Sequence, residues 1–121
     1  MMTDPTFDLH AINQDELLGA KQILKQRYPS LVEGYIEDAE MYVAGIESGI
    51  ATHDAAQIAQ HAHPLKSSSA SFGLNGVAAV AKAIELKAKE GESIVTIAPL
   101  LPLLKEALTY AITILKDTVQ N

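Results

Sequence analysis

The 121-residue chain has no cysteine and no tryptophan, and its basic residues are outnumbered by acidic ones. Without cysteine it can form neither disulfide bonds nor a cysteine-ligated zinc site. A formal net charge of -6 argues against nucleic-acid binding, because affinity for the phosphate backbone comes largely from Lys and Arg. No uninterrupted apolar run approaches about 18 residues, so we expect no membrane span. Residues 1–7 show no signal-peptide pattern, and a cytoplasmic protein is expected.

Aromatic residues are also scarce, and the alternations of Val, Ile, Thr and Tyr that are typical of strands are few. Ala, Leu, Ile, Glu and Lys are plentiful instead, and this composition favours helices. The length fits one domain that can bury its own core. The chain is therefore expected to be all-α.

Apolar residues recur at three- and four-residue steps in five segments, which predicts five helices. Capping and breaking residues suggest their limits. The first helix is capped by Asn13 with Glu16 and ends near Tyr28, and the second begins at Pro29. The third is capped by Thr52 or Asp54, and a bend at Gly73 and Asn75-Gly76 separates it from the fourth, which stops at Gly91. A loop over 92–98 follows, and the last helix begins near Pro99 and Pro102. We predict an antiparallel up-down four-helix bundle with an additional N-terminal helix, spanning 13–121 after a loose lead-in over 1–12.

His63 lies on the third predicted helix, away from the apolar stripe of that helix. At about 100° per residue, Leu65 falls within roughly 40° of Ile58, whereas His63 lies about 140° from Ile58. The projection therefore predicts a buried apolar face and an imidazole that points outward.

The surface around His63 is made of small residues. Ala59, Ser67 and Ala70 lie within roughly 40° of it on the helix projection. Such a smooth patch allows another protein to approach the imidazole closely. Lys66 lies one turn further on, where its ammonium can reach a group attached to the ring and stabilise a phosphoryl charge.

Segment 63–69, which reads HPLKSSS, resembles the signature of histidine-containing phosphotransfer (HPt) domains, H-x-L-K-G-S-S with a glycine a few residues later, here Gly73. Ile84-Glu85, with Glu85 22 residues after His63, matches a frequent Leu-Glu of the family. The resemblance implies that His63 accepts a phosphoryl group on Nε2 from the aspartate of one receiver domain and passes it to another receiver. Lys66 would stabilise the phosphoryl charge, and Glu85 would orient the ring through Nδ1–H.

The resemblance also implies the partners and the extent of the binding surface. Response-regulator receiver domains and a hybrid sensor histidine kinase are the expected partners of a monomer. Mg²⁺ would come from the receiver, and no cofactor or metal of the protein's own is expected. No glycine-rich ATP-binding loop is present, so the protein would be a phosphocarrier rather than an enzyme. The candidate binding residues around the phosphoacceptor are Ala59, Gln60, Ser67 and Ala70 on the third helix and Lys82 and Glu85 on the fourth.

Two residues depart from the family pattern. Ser67 stands where the family usually has glycine, and a hydroxymethyl group there should be tolerated with altered partner choice. Pro64 follows the histidine inside the helix, where it lacks an N–H and crowds the carbonyl of Gln60. We predict a local bend near Gln60 that tilts His63 outward.

Two other classes of function fit a helical bundle. A non-catalytic adaptor would bind receiver domains without transfer, and an intact His63 and Lys66 argue against it. A metal or small-ligand bundle would need Glu and His on its core stripes, which are absent. His10 and His53 have no companion ligands, and His61, at the flank of the buried stripe, is interpreted as a packing residue.

Overall fold

A computed structural model describes residues 7–120, and these residues form α-helices and one 3-10 turn without a strand. The helices are α1 (Gln14–Leu24), α2 (Tyr28–Ala51), α3 (Ala55–Ser71), α4 (Asn75–Lys89), α5 (Ile94–Ile97) and α6 (Leu100–Gln120). The four long helices α2, α3, α4 and α6 form the antiparallel bundle, and α1 is the additional N-terminal helix. The predicted fold class is confirmed.

The junction between the first two helices differs from the prediction. The Asn13 side chain caps α1 by accepting from the Glu16 N–H at 3.1 Å, as expected. However, α1 ends at Leu24, and a 3-10 turn over Lys25–Arg27 leads directly into α2. Pro29 lies in the first turn of α2, where its missing N–H costs no helical hydrogen bond.

The predicted loop over 92–98 is wrong, because it contains α5. The Ser93 side chain caps this short helix by accepting from the Val95 N–H at 3.3 Å, and Ile97 is fully buried. Four residues are too few to show a helical period, so the pattern of apolar residues could not reveal this turn. Burial of Ile97 and the serine cap stabilise it instead.

The N-terminal lead-in is packed rather than loose over residues 7–12, and residues 1–6 lie outside the described part. The Asn13 N–H donates to the Gly73 carbonyl at 2.7 Å, and the Gly76 N–H donates to the Ala11 carbonyl at 3.0 Å. The His10 ring stacks on Tyr110 of α6 with centroids 4.0 Å apart. A side chain at Gly76 would collide with the Leu9 backbone, so glycine allows this close approach.

Helix α6 supplies one wall of the core. By length and composition, the segment Ile94–Gln120 is apolar enough to cross a membrane, which the sequence analysis did not expect. A core helix passes the same test, and Leu104, Leu108 and Leu115 are buried against the rest of the bundle. The apolar character of α6 therefore has a structural explanation within the fold.

Candidate functional site

The candidate residues meet around Glu85, a carboxylate on α4 that is only 4% exposed. Its Oε2 lies 2.7 Å from His63 Nδ1 and 2.9 Å from Lys89 Nζ, and its Oε1 lies 2.6 Å from Lys66 Nζ. Two of these donors come from α3 and one comes from the next turn of α4. Packing of α3 against α4 therefore creates a cluster of three donors on one buried carboxylate.

The protonation state of Glu85 determines which ring nitrogen of His63 carries a proton in their contact. Burial raises the pKa of Glu85, but the hydrogen bonds from the three donors outweigh burial and lower the pKa to about 2. Glu85 is therefore ionised at neutral pH, and a carboxylate can only accept hydrogen bonds. In the 2.7 Å contact with His63 the proton consequently lies on Nδ1. In the neutral imidazole, Nε2 then keeps its lone pair.

The His63 ring is held at one nitrogen and otherwise open to a partner. Its side chain is 59% exposed, whereas the Glu85 side chain beneath it is almost completely buried. Lys66, one turn along α3, is partly exposed beside the same carboxylate. The arrangement thus offers an accessible, correctly protonated nucleophile next to a cation.

Helix α3 is anchored at its start and along its buried face. Asp54 caps it by accepting from the Gln57 N–H at 3.0 Å, so Asp54 is the cap that the sequence left open between two residues. The Tyr35 hydroxyl of α2 forms a buried 2.7 Å hydrogen bond with the Ser69 hydroxyl. Burial raises the pKa of Tyr35 to about 12 despite this hydrogen bond, so the hydroxyl stays protonated. These contacts fix the helix that carries His63.

Pro64 lies inside α3, which continues without interruption from Ala55 to Ser71. The Ser68 hydroxyl donates to the Pro64 carbonyl at 2.9 Å. The bend expected near Gln60 stays a prediction, but the proline does not end the helix.

The binding residues predicted on α3 differ in exposure. Gln60, Ser67 and Ala70 are exposed, and Ala59 is partly buried against the core. His61, which was predicted to be a packing residue, forms a 2.9 Å hydrogen bond with the Gln57 carbonyl. It lies so close to Gly45 of α2 that a side chain at Gly45 would collide with it. Small, exposed groups therefore border the phosphoacceptor candidate on one side.

On the other side, Lys82 is exposed on α4 and lines a hollow of about 160 Å³ together with Lys66, Glu85, Leu86 and Lys89. Three lysines, Lys66, Lys82 and Lys89, thus give this side of the site a positive charge.

Sequence reasoning missed two features of the cluster. It assigned Lys66 to a phosphoryl group, whereas in the structure this ammonium is bound to Glu85. It also did not pair Lys89 with Glu85, although the four-residue spacing between them is the spacing of a helical ion pair. That spacing was the available signal.

Within residues 7–120, no group of three or more His, Asp or Glu side chains could hold a metal ion.

Comparisons with known proteins bear on the fold and the family of this chain. The crystal structure of histidine-containing phosphotransfer protein B (HptB) from Pseudomonas aeruginosa PAO1 is similar, with a TM-score of 0.86 and 20% sequence identity over 91% of this chain and 95% of that chain. A comparison with curated protein sequences found no significant match. The family model of the Hpt domain matches residues 30–113, which include the entire Glu85 cluster. The chain therefore belongs to the HPt domain family, whose members are phosphocarriers of two-component signalling systems.

Proposed function

We propose that this protein is a phosphorelay intermediate that accepts a phosphoryl group on His63 from the aspartate of one receiver domain and passes it to the aspartate of another. The observation that carries the proposal is the 2.7 Å contact between His63 Nδ1 and Glu85 Oε2. It leaves Nε2, the nitrogen remote from the backbone, as the nucleophile.

The proposed transfer exchanges one bond to phosphorus for another. The Nε2 lone pair attacks the phosphorus of the aspartyl phosphate, an N–P bond forms, the acyl O–P bond breaks, and the receiver's carboxylate leaves with that electron pair. No base is needed, because the attacking nitrogen of His63 carries no proton. The second transfer is the reverse step with a different aspartate.

Glu85 stabilises the product of the first step. Once Nε2 is bonded to phosphorus and Nδ1 keeps its proton, the imidazole ring carries a positive charge. The ionised carboxylate lies 2.7 Å from that ring, so it stabilises the charge that develops during transfer. It also fixes the ring orientation for in-line attack.

Lys66 supplies positive charge for the phosphoryl oxygens. Phosphoryl transfer depends mainly on positioning and on stabilisation of the oxygen charges. Mg²⁺ belongs to the receiver in this proposal, and the protein contributes no cofactor of its own.

The receiver docks over the exposed face of α3 around His63. Gln60, Ser67 and Ala70 are exposed there and Ala59 borders them, so a partner can approach the ring closely. Lys82 would attract the acidic residues that surround a receiver's aspartate, which favours encounter and orientation. The phosphoryl group would originate from a hybrid sensor histidine kinase, and the protein would act as a cytoplasmic monomer.

The direct test is phosphoryl uptake from receiver domains of the source organism that have been phosphorylated with radiolabelled acetyl phosphate. Wild type should acquire acid-labile, alkali-stable label on His63, and His63→Gln should acquire none. His53→Asn is the matched control, because His53 is exposed in a turn with a φ of 55° that asparagine tolerates. Uptake by His63→Gln equal to wild type, or none by wild type from any of the receivers, would refute the proposal.

The same experiment discriminates the adaptor alternative. A protein that only binds receivers would show unchanged affinity in His63→Ala and no phosphorylated form in wild type. A phosphorelay intermediate shows the labelled form in wild type whatever the affinity of His63→Ala.

A further inference from the structure

Lys66 has two roles that compete for one ammonium group. In the structure it forms a 2.6 Å ion pair with Glu85 Oε1. In the proposed function, on which the following inference rests, the same ammonium must contact the phosphoryl oxygens on His63. The ammonium has three N–H donors, but moving it towards the phosphoryl oxygens weakens its contact with the carboxylate.

Leaving Glu85 is unfavourable unless another cation remains. The carboxylate is 4% exposed, so water does not replace a lost partner. Removing one partner of a buried ion pair is strongly destabilising because it leaves an uncompensated charge. Until the His63 ring gains its positive charge, Glu85 without a second cation would hold Lys66 and reduce its availability to the phosphoryl group.

Lys89 provides that second cation. Its Nζ lies 2.9 Å from Glu85 Oε2, the oxygen that also accepts from His63. The two residues are four apart on α4, so the helix itself keeps them together whatever happens on α3. Lys66 reaches the carboxylate from α3 and uses the other oxygen, Oε1. Departure of Lys66 would therefore leave the contact of Lys89 intact.

We propose that Lys89 is a positioning residue that compensates the charge of Glu85 while Lys66 moves to the phosphoryl group. Lys89 acts through the carboxylate and touches neither the ring nor the phosphoryl group. Its side chain is 59% exposed, so solvent screening limits the effect of its removal. We expect phosphoryl uptake to slow about fivefold in Lys89→Gln, equivalent to about 1 kcal/mol in the barrier.

The experiment is a double-mutant cycle between Lys89→Gln and Glu85→Gln, with uptake rates measured at saturating phosphorylated receiver. In the Glu85→Gln background the carboxylate charge is gone, so removing Lys89 should change the rate no further. Lys89→Arg should restore the rate, because it retains the charge. Lys87→Gln is the matched control, since it removes the same charge from α4 and breaks an exposed 3.2 Å ion pair with Glu92.

Two results of the rate measurements would overturn the inference while leaving the proposed function standing. One is an unchanged rate in Lys89→Gln. The other is an equal slowing by Lys89→Gln in the wild-type and Glu85→Gln backgrounds, which would mean that this lysine contacts the receiver directly. A wild-type protein that takes up no label refutes the proposed function instead.

A measurement on the unphosphorylated protein separates charge compensation from docking. NMR titration of the Glu85 carboxyl carbon should show a higher pKa in Lys89→Gln than in wild type, because one of the donors that lower the pKa is lost. Lys87→Gln should leave the titration of Glu85 unchanged. An unchanged Glu85 pKa in Lys89→Gln would contradict the inference.

Discussion

At the scale of single residues, the site depends on one buried carboxylate. Glu85 would be costly in a bundle core if it stood alone, because an ion loses its hydration on burial. Three donors compensate this cost, and one of them is the His63 ring itself. In the proposed function, the residue that orients the nucleophile is thus held by the same contacts that make its burial possible.

Glu85 should make stability depend on pH in acid. Its pKa is lowered from 4.5 to about 2 in the folded protein, so its contribution is complete above pH 4.5 and is lost as the pH falls towards 2. At about 1.36 kcal/mol per pKa unit, the loss is on the order of 3 kcal/mol. Urea unfolding at a series of pH values should show this loss in wild type and a clearly shallower one in Glu85→Gln.

Glu92→Gln serves as the control for that titration. Glu92 also pairs with a lysine of α4, but its side chain is 38% exposed, so its removal should leave the acid profile close to wild type. Matching acid profiles for Glu85→Gln and wild type would show that the buried cluster does not contribute to the pH dependence.

At the scale of elements, α3 tolerates a proline in its interior. Pro64 removes one hydrogen bond to the Gln60 carbonyl, yet the helix is continuous around it. Buried contacts on both sides of it, from Ile58 and Leu65, hold α3 in place. Packing therefore keeps α3 helical at Pro64, where the local sequence is unfavourable for a helix.

Replacing this proline should stabilise the protein. An interior proline is about 3 kcal/mol less favourable than alanine in a helix, and the freer unfolded chain of Pro64→Ala offsets up to about 1 kcal/mol. We expect a net gain of about 2 kcal/mol in the free energy of unfolding, measured by urea denaturation. A change in phosphoryl uptake by the same variant is expected if Pro64 tilts His63 outward, as the sequence predicts.

Pro102→Ala is the matched control for this comparison. Pro102 is the third residue of α6, where its N–H would have no partner within the helix, so only the unfolded-state effect remains. This variant should be slightly less stable than wild type. Equal effects of the two substitutions would show that Pro64 places no strain on α3.

At the scale of the whole molecule, α1 is part of the core although the family model begins after it, at residue 30. Leu17 is completely buried in the same apolar cluster as the bundle helices. The backbone contacts of residues 11–13 with 73–76 attach this region to the connection between α3 and α4. The N-terminal helix therefore supports the pair of helices that carries the site.

Adjacent leucines of α1 test this role. Leu17→Ala should lower the free energy of unfolding by about 3 kcal/mol, because it removes a fully buried side chain and leaves a cavity. Leu18→Ala makes the same change at a side chain that is 50% exposed, and its effect should be within about 0.5 kcal/mol. Thermal or urea unfolding measures both. Similar small effects of both substitutions would mean that α1 lies over the bundle without contributing to its stability.

Much of the fold was predictable because it depends on neighbours in the sequence. The apolar steps of α2, α3, α4 and α6, the Asn13 cap and the breaks at Gly73 and Gly91 are local signals. The helix α5 and the packing of residues 7–12 escaped prediction, since they are stabilised by contacts with distant residues. Ile97 is buried by the bundle, and the segment before α1 is held by backbone hydrogen bonds with Gly73 and Gly76.

The sequence by itself determined the helical class, the outward position of His63 and the motif by which the family is recognised. The spacing of residues on one helix specifies the face that each occupies, and this requires no tertiary contact. Only the tertiary structure decided that Lys66, Lys89 and His63 converge on Glu85. That convergence depends on how α3 packs against α4, and it determines both which ring nitrogen is protonated and where Lys66 rests before transfer.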